Sequence, residues 1–207
     1  MRKTLVIIAI CAVGIAIAGV FALRGIPTGS TVAAEENDTV SPKAAKSLQD
    51  KIDAIKKAKD MPDRPPRESR VELSEVELES YMLFSMKDQI PAQMDSFDVQ
   101  LEPGTVAAQT QLTFSSDATG NAIVDAVVGG THDLFIKGSL QGSEGRGKFE
   151  LLEIRVDGIP VPKILIESLF DKYVKPKYPD ADLKEPFDLP WGIEELTLEQ
   201  GKAIVTY

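Results

Sequence analysis

Side chains equipped for catalysis are few in this chain, and they are scattered along it. His132 is the only histidine, and it stands beside Asp133 just after Gly129-Gly130. A histidine next to a carboxylate serves as a general base or a pH-sensitive contact in many sites. After two glycines, the plainer reading is a solvated loop residue. A single histidine also leaves little room for zinc chemistry or a Ser-His pair. Cys11 is the only cysteine and lies inside an apolar run. No intrachain disulfide, thiolate metal site or thiol nucleophile is therefore expected. Ile10 precedes it, where a lipid-modified cysteine needs a small residue.

Carboxylates are abundant, and they do acid–base work when two side chains converge. Glu194 and Glu195 are adjacent at the start of a segment that reads as strand, so they face opposite sides. Glu75, Glu77 and Glu79 open a helix, where negative charge suits the dipole, and Ser74 reads as its cap. Gly142, Gly145 and Gly147 form a G-x-x-G-x-G pattern. A phosphate cradle of that kind leads into a helix. Here strand patterning lies on both sides, so the glycines read as a hairpin turn. The expectation is a protein that is not an enzyme, with no catalytic residues, no metal site and no cofactor.

Charge narrows the partners. The 207 residues carry 23 Lys and Arg against 32 Asp and Glu, a net charge of −9. Arg2, Lys3 and Arg24 flank the apolar N-terminal run, and the other 20 basic residues leave the remainder at −12. Such a surface repels nucleic acid and, absent a basic patch, anionic lipid headgroups. Thr4 to Leu23 is free of charge, and eleven of those residues are Leu, Ile, Val or Phe. Twenty residues at helical rise span a bilayer core of about 30 Å. With Arg2 and Lys3 in front, the positive-inside rule predicts a single-pass anchor in the inner (cytoplasmic) membrane and a periplasmic or otherwise extracytoplasmic domain. A cleaved signal peptide is the alternative, with cleavage-compatible spacing at Val20-Phe21-Ala22 and Val32-Ala33-Ala34.

These features need elements to position them. Residues 1–24 read as the anchor, 25–69 as a stalk and 70–207 as a soluble domain. Within the stalk, Ser41-Pro42 starts a helix over 43–60 with a narrow stripe of Ala45, Leu48, Ile52 and Ile55. That stripe docks on the domain, pairs with a second copy or lies on a partner. Met61 to Pro66 forms a Pro-rich neck that ends the helix. Ser74 and Glu77 form a capping box, which predicts a helix from Glu75 to about Gln89. Strands are expected around Phe97–Leu101, Val106–Phe114, Leu134–Leu140, Phe149–Val156, Ile193–Leu198 and Ala203–Tyr207. The 122–128 segment is open between strand and helix, and a second helix follows Pro160 and Pro162 to about Lys175. The fold class is α+β: an antiparallel sheet of about six strands packed with two amphipathic helices.

Both helices are apolar over more of their circumference than packing on one sheet requires. Leu165, Ile166, Leu169, Phe170, Tyr173 and Val174 cover about half of the second helix. The first adds Tyr81 and Phe84 to a stripe containing Met82, Leu83 and Met86. The methionines are pliable enough to repack around different shapes. Either the wide arcs are core, or part of them lines a groove for an acyl chain, a sterol-like ligand or a hydrophobic protein segment. The candidate ligand or core residues are Tyr81, Met82, Met86, Leu165, Leu169, Phe170, Tyr173 and Trp191, the last as a groove cap, a membrane-interface residue or filling.

Val71-Glu72-Leu73-Ser74 before a helix and Ile159-Pro160-Val161-Pro162 before another carry a family likeness. So does Leu189-Pro190-Trp191-Gly192-Ile193, followed by Leu196-Thr197-Leu198 and Gln200-Gly201-Lys202. Residues 70–207 resemble the YpmS-like and LmeA-like bacterial membrane-anchored domains, which are related to tubular lipid-binding folds. The resemblance implies an envelope-associated, lipid-handling role. The short chain and its Pro-rich neck depart from that pattern and bear against a long lipid tunnel. The expectation is a membrane-tethered binding module for a hydrophobic ligand such as lipid, with the membrane as partner through residues 4–23. The alternative is an accessory or assembly subunit that contacts a membrane protein and binds no ligand.

Overall fold

The computed structural model describes residues 39–59, 69–86, 93–114, 130–171, 175–176 and 185–207. The apolar 4–23 segment, the Pro-rich neck and the 122–128 segment lie outside them. Among the described residues, no helix is long and apolar enough to cross a membrane.

The fold is α+β, with one open antiparallel sheet. Helix α1 (Pro42–Lys59) precedes strand β1 (Arg70–Ser74) and helix α2 (Glu75–Ser80). The chain then forms β2 (Gln93–Glu102), β3 (Thr105–Phe114), β4 (Gly130–Ser143), β5 (Arg146–Val156) and β6 (Ile159–Pro160). Helix α3 (Lys163–Leu169) leads to β7 (Phe187–Asp188), β8 (Glu195–Glu199) and β9 (Lys202–Thr206). The strand order is β1-β9-β8-β4-β3-β2, with β5 on the other edge of β4 and β6 and β7 on the far side of β5. Gly142 shows the branching: it pairs with Gly147 of β5 and, across its opposite edge, with Leu196 of β8.

Nine strands form among the described residues, against the expected six. The additions are β1, β6 and β7. Val71 and Leu73 of β1 pair with Val205 and Ala203 of β9, and both β6 and β7 have only two residues. The turns follow their dipeptides. Glu144-Gly145 and Asp157-Gly158 both place two successive residues at positive φ, the geometry that joins tight hairpins.

The capping box forms as its residues require. Ser74 Oγ accepts from the Glu77 N–H at 3.2 Å, and the Glu77 carboxylate accepts from the Ser74 N–H at 3.0 Å. The helix ends sooner than its apolar pattern suggests. After Ser80 it widens into a π turn over Tyr81–Ser85, which Met86 closes by donating to the Tyr81 carbonyl at 3.1 Å. Residues 87–92 lie outside the described chain.

Helix α1 is not held apart in a stalk. It packs against α2, the π turn and the Pro190–Gly192 turn. Ala44, Ala45, Leu48 and Ile55 are buried, so the stripe is used for docking on the domain. The two alanines let the α1 and α2 backbones approach, while Leu48 and Ile55 contribute about 1.5–3 kcal/mol each by burial.

The sheet has two distinct ends. At one lie the β4–β5 turn and the start of β8, linked by the Gly145 N–H donating to the Glu194 carbonyl, while the β2–β3 and β8–β9 turns meet between the ends, where the Gly201 N–H donates to the Leu101 carbonyl and the Gly104 N–H to the Leu198 carbonyl. At the other, β2 and β4 begin and β3 and β5 finish: Met94 pairs with Leu112, Leu112 with His132 and Leu134 with Val156. Helix α1 runs from Ser80 at the end of α2 to the Pro190–Gly192 turn. Its Ser41 N–H donates to Ser80 Oγ at 3.0 Å, and its Lys56 Nζ sits 5.0 Å over the Trp191 ring.

Candidate functional site

Helix α2 is held by charge as well as packing. Glu77 is only 6 % exposed. Lys51 Nζ lies 2.7 Å from its carboxylate, and Ser47 Oγ donates to it at 2.6 Å. Burial pushes the Glu77 carboxyl up, but Lys51, Ser47 and the Ser74 N–H together outweigh it and leave the pKa below the ordinary value. Lys51 also donates to the Glu72 carbonyl at 2.7 Å. A helix-start glutamate thus anchors α1 to the domain.

The neighbouring glutamates guard an edge. β2 ends the sheet order, so half of its N–H groups face away from β3. Glu79 accepts from the Val99 N–H at 3.0 Å, and Glu75 from the Leu101 N–H at 2.6 Å. Burial raises the Glu79 pKa, Val99 opposes that, and Asp98 and Glu75 add to it. The i, i+4 spacing of Glu75 and Glu79 matches the two-residue step of β2. That match is the signal in the sequence for this role, which a dipole reading misses.

Most of the wide apolar arc of α2 and its π turn is filled by two neighbours, while Phe84 stays exposed. Leu78, Met82 and Leu83 pack on the core formed by Phe97, Val99, Leu101, Leu140, Leu198 and Ala203. Tyr81 is half-buried. Its hydroxyl pKa is raised by burial and by Asp53 of α1, which places this ring near that helix. Met86 is buried. Trp191 belongs to a second core with Ile55, Leu189, Ile193 and Val205, away from α3. Its positive φ of 55° and the Lys56 ammonium over its ring fit a residue that locks α1 in place.

Helix α3 is different. Ile166 and Phe170 are buried, but Ile164 is 76 % exposed and Leu165 48 %. The Leu169 side chain and Tyr173 lie outside what is described. Beside α3, the outer edge of β5 pairs with β7 only at Arg146 and Gly147, and with β6 only at Arg155 and Val156. Between those pairings a cleft of about 200 Å³ opens, lined by Lys148, Phe149, Glu150, Leu151, Lys163, Ile166 and Glu167. None of the described expected site residues lines it, although Leu165 is adjacent in α3 to Ile166.

Phe149 forms one wall because Gly138 leaves it room. A Cβ at Gly138 would come within 2.4 Å of the ring. A bulge opposite Gly138 also places Leu151 and Leu152 in succession at this point of β5. The cleft's apolar residues are Phe149, Leu151 and Ile166, and two lysines and two glutamates join them. This arrangement can hold an apolar group and a charged one side by side.

His132 is a strand residue and not the loop residue expected. It pairs with Leu112 across β3, and its Nδ1 lies 2.8 Å from the Asp157 carboxylate. His132 first, and the Asp133 N–H second, lower the Asp157 pKa. The pair ties the β5–β6 turn to the start of β4. Among the described residues, no cluster of three His, Cys, Asp or Glu side chains is arranged to hold a metal ion. No protein-family model matches the chain, and no curated protein matches it.

Proposed function

We propose that this chain is a membrane-tethered binding module for a hydrophobic ligand carrying a polar head, a lipid or a lipid-like amphiphile. Residues 4–23 hold it in the cytoplasmic membrane, and the folded domain lies on the extracytoplasmic side. The observation that carries this reading is the β5–α3 cleft, where Phe149, Leu151 and Ile166 adjoin Lys148 and Lys163. An apolar wall with a few charged groups is the usual composition of a small-molecule site. Its volume of about 200 Å³ is below the about 300–1,000 Å³ of sites that enclose a whole drug-sized ligand. The cleft therefore takes one end of an amphiphile, and the rest lies along exposed Leu165 and Leu152.

The test is native mass spectrometry of the full-length protein extracted from membranes in mild detergent. The expected result is a population carrying lipid-sized adducts, reduced in a Leu151→Trp variant that fills the cleft and keeps the wild-type melting temperature. A protein free of adducts that also fails to bind added fluorescent phospholipid overturns the reading. Stoichiometric recovery of a membrane protein by such adduct-free material would favour the accessory-subunit alternative.

A further inference from the structure

The two walls of the β5–α3 cleft carry matched charges. Strand β5 contributes Lys148 and Glu150, and α3 contributes Lys163 and Glu167. Two cations and two anions cancel, so the lining offers no net field to a simple anion or a simple cation. A group that holds both signs gains from each. Elsewhere on the domain Lys46, Lys51, Lys137 and Lys202 each meet a carboxylate. Lys148, Glu150 and Lys163 make no ion pair among the described residues, whereas Glu167 has a partner of its own. Two cations and one anion therefore remain for a ligand.

The strand sets their spacing. Lys148 and Glu150 are two residues apart on β5, so their side chains leave the same face about 7 Å from one another. Lys163 is the first residue of α3, on the other wall. A phosphate placed between the two lysines, with an ammonium two carbons away, reaches Glu150 from that position.

The edge of β5 adds a donor and an acceptor. Gly145, just before the strand, and Ile154 within it turn their carbonyls to this edge, where the Leu189 and Val161 N–H groups donate to them. Backbone groups alternate between the two edges of a strand, so the Phe149 N–H and carbonyl face the same way as those of Gly145. β7 pairs with Arg146 and Gly147, and β6 with Arg155 and Val156, so no strand covers Phe149 among the described residues. An uncovered N–H suits a phosphate oxygen, and an uncovered carbonyl suits an ammonium.

We infer that the head of the ligand is a phosphoethanolamine group, its phosphate between Lys148 and Lys163 and its ammonium on Glu150. The inference rests on the proposed lipid site and names the polar end of its amphiphile. The volume of about 200 Å³ suits a compact head of this kind better than a sugar-bearing one. Phosphocholine carries the same charges, but its quaternary ammonium has no N–H for Glu150 or the Phe149 carbonyl, which are left unsatisfied. A phosphoglycerol head has no cation for Glu150 at all.

The test is native mass spectrometry of the full-length protein in mild detergent, given an equimolar mixture of dioctanoyl phosphatidylethanolamine, phosphatidylcholine and phosphatidylglycerol. Their adducts differ in mass. The expected result is about fivefold more ethanolamine adduct than either of the others. Glu150→Gln should bring the three close to parity, and Lys148→Gln with Lys163→Gln should reduce all of them. All three positions are exposed, so the variants keep the core and the wild-type melting temperature. Free phosphoethanolamine, which has no acyl chain, should compete only weakly. Competition as strong as that of the lipid would keep the head and remove the lipid. Phosphatidylglycerol bound as well as phosphatidylethanolamine, or a ratio that Glu150→Gln leaves unchanged, overturns the inference while the lipid site stands. If neither any of the lipids nor free phosphoethanolamine binds, the lipid site is wrong and the inference falls with it.

Discussion

Replacing Glu77 with glutamine tests why α1 belongs to the folded domain. Glutamine still satisfies the third position of a capping box, so Glu77→Gln leaves the start of α2 capped. It removes the charge that Lys51 and Ser47 meet at 2.7 and 2.6 Å. Hydrogen bonds to charged groups contribute about 1.5–3 kcal/mol each. Lys51 keeps 26 % of its side chain in solvent and recovers part of its hydration, which discounts the loss. The expected destabilisation is about 2 kcal/mol. It is read by urea unfolding of residues 39–207 at pH 7, with Trp191 as the reporter.

A cycle with Lys51→Met isolates the pair. Residues in contact couple by about 0.5–3 kcal/mol, whereas independent sites add. The sign of the pH dependence follows from the lowered Glu77 pKa. Its stabilisation is fully present above the unfolded carboxyl value and is lost as pH falls through the lower folded value. Wild type should therefore lose its advantage over Glu77→Gln below about pH 4.5. Equal stability of the two at pH 7, or an additive cycle, would refute the claim that this pair holds α1.

Other expectations follow from the same structure. Glu75→Ala with Glu79→Ala should free two N–H groups on the edge of β2 and promote edge-to-edge association, seen as concentration-dependent oligomers in size-exclusion chromatography. The Glu79 pKa is raised, so its ionisation disfavours folding as pH rises through that range; Glu79→Gln should flatten this part of the stability profile without loss at pH 7. Gly138→Ala should displace the Phe149 ring, cost about 1–3 kcal/mol and reduce lipid adducts, with Phe149→Leu restoring stability but not binding. Lys56→Ala should redden Trp191 emission by loosening α1 from the second core, which a fluorescence spectrum checks directly.

Much of this fold is legible residue by residue. Ser74 and Glu77 announce their capping box because both bonds are local, three residues apart. The alternation of Phe97, Val99 and Leu101 marks β2 because every second side chain is buried. Glu144-Gly145 turns a hairpin for reasons contained in two residues. The destination of α1 is not local. Its stripe is visible, but the partner surface depends on Glu77, 26 residues beyond Lys51, and on Trp191, 135 residues beyond Lys56. For the same reason the broad arc of α2 reads equally well as a groove until α1 is placed against it.

The candidate site is less legible still. Phe149, Leu151 and Ile166 appear in the sequence as ordinary strand and helix positions. The cleft arises because two-residue strands cover only the ends of β5 and because Gly138 leaves space for a ring. Pairings that short carry no periodic signal of their own. Leu165 and Phe170 belong to the same helical arc, yet one is half-exposed and the other buried, since α3 turns only part of that arc inward.

The claim that this domain takes a lipid at the β5–α3 cleft is tested most directly by photocrosslinking. The full-length protein is incubated in membranes with a phospholipid bearing a photoactivatable acyl chain, irradiated and digested, and the modified residues are mapped by mass spectrometry. The account predicts adducts on Phe149, Leu151, Ile166 or their immediate neighbours, competed away by unlabelled lipid. Labelling confined to residues 4–23, or spread over the domain without competition, would contradict it.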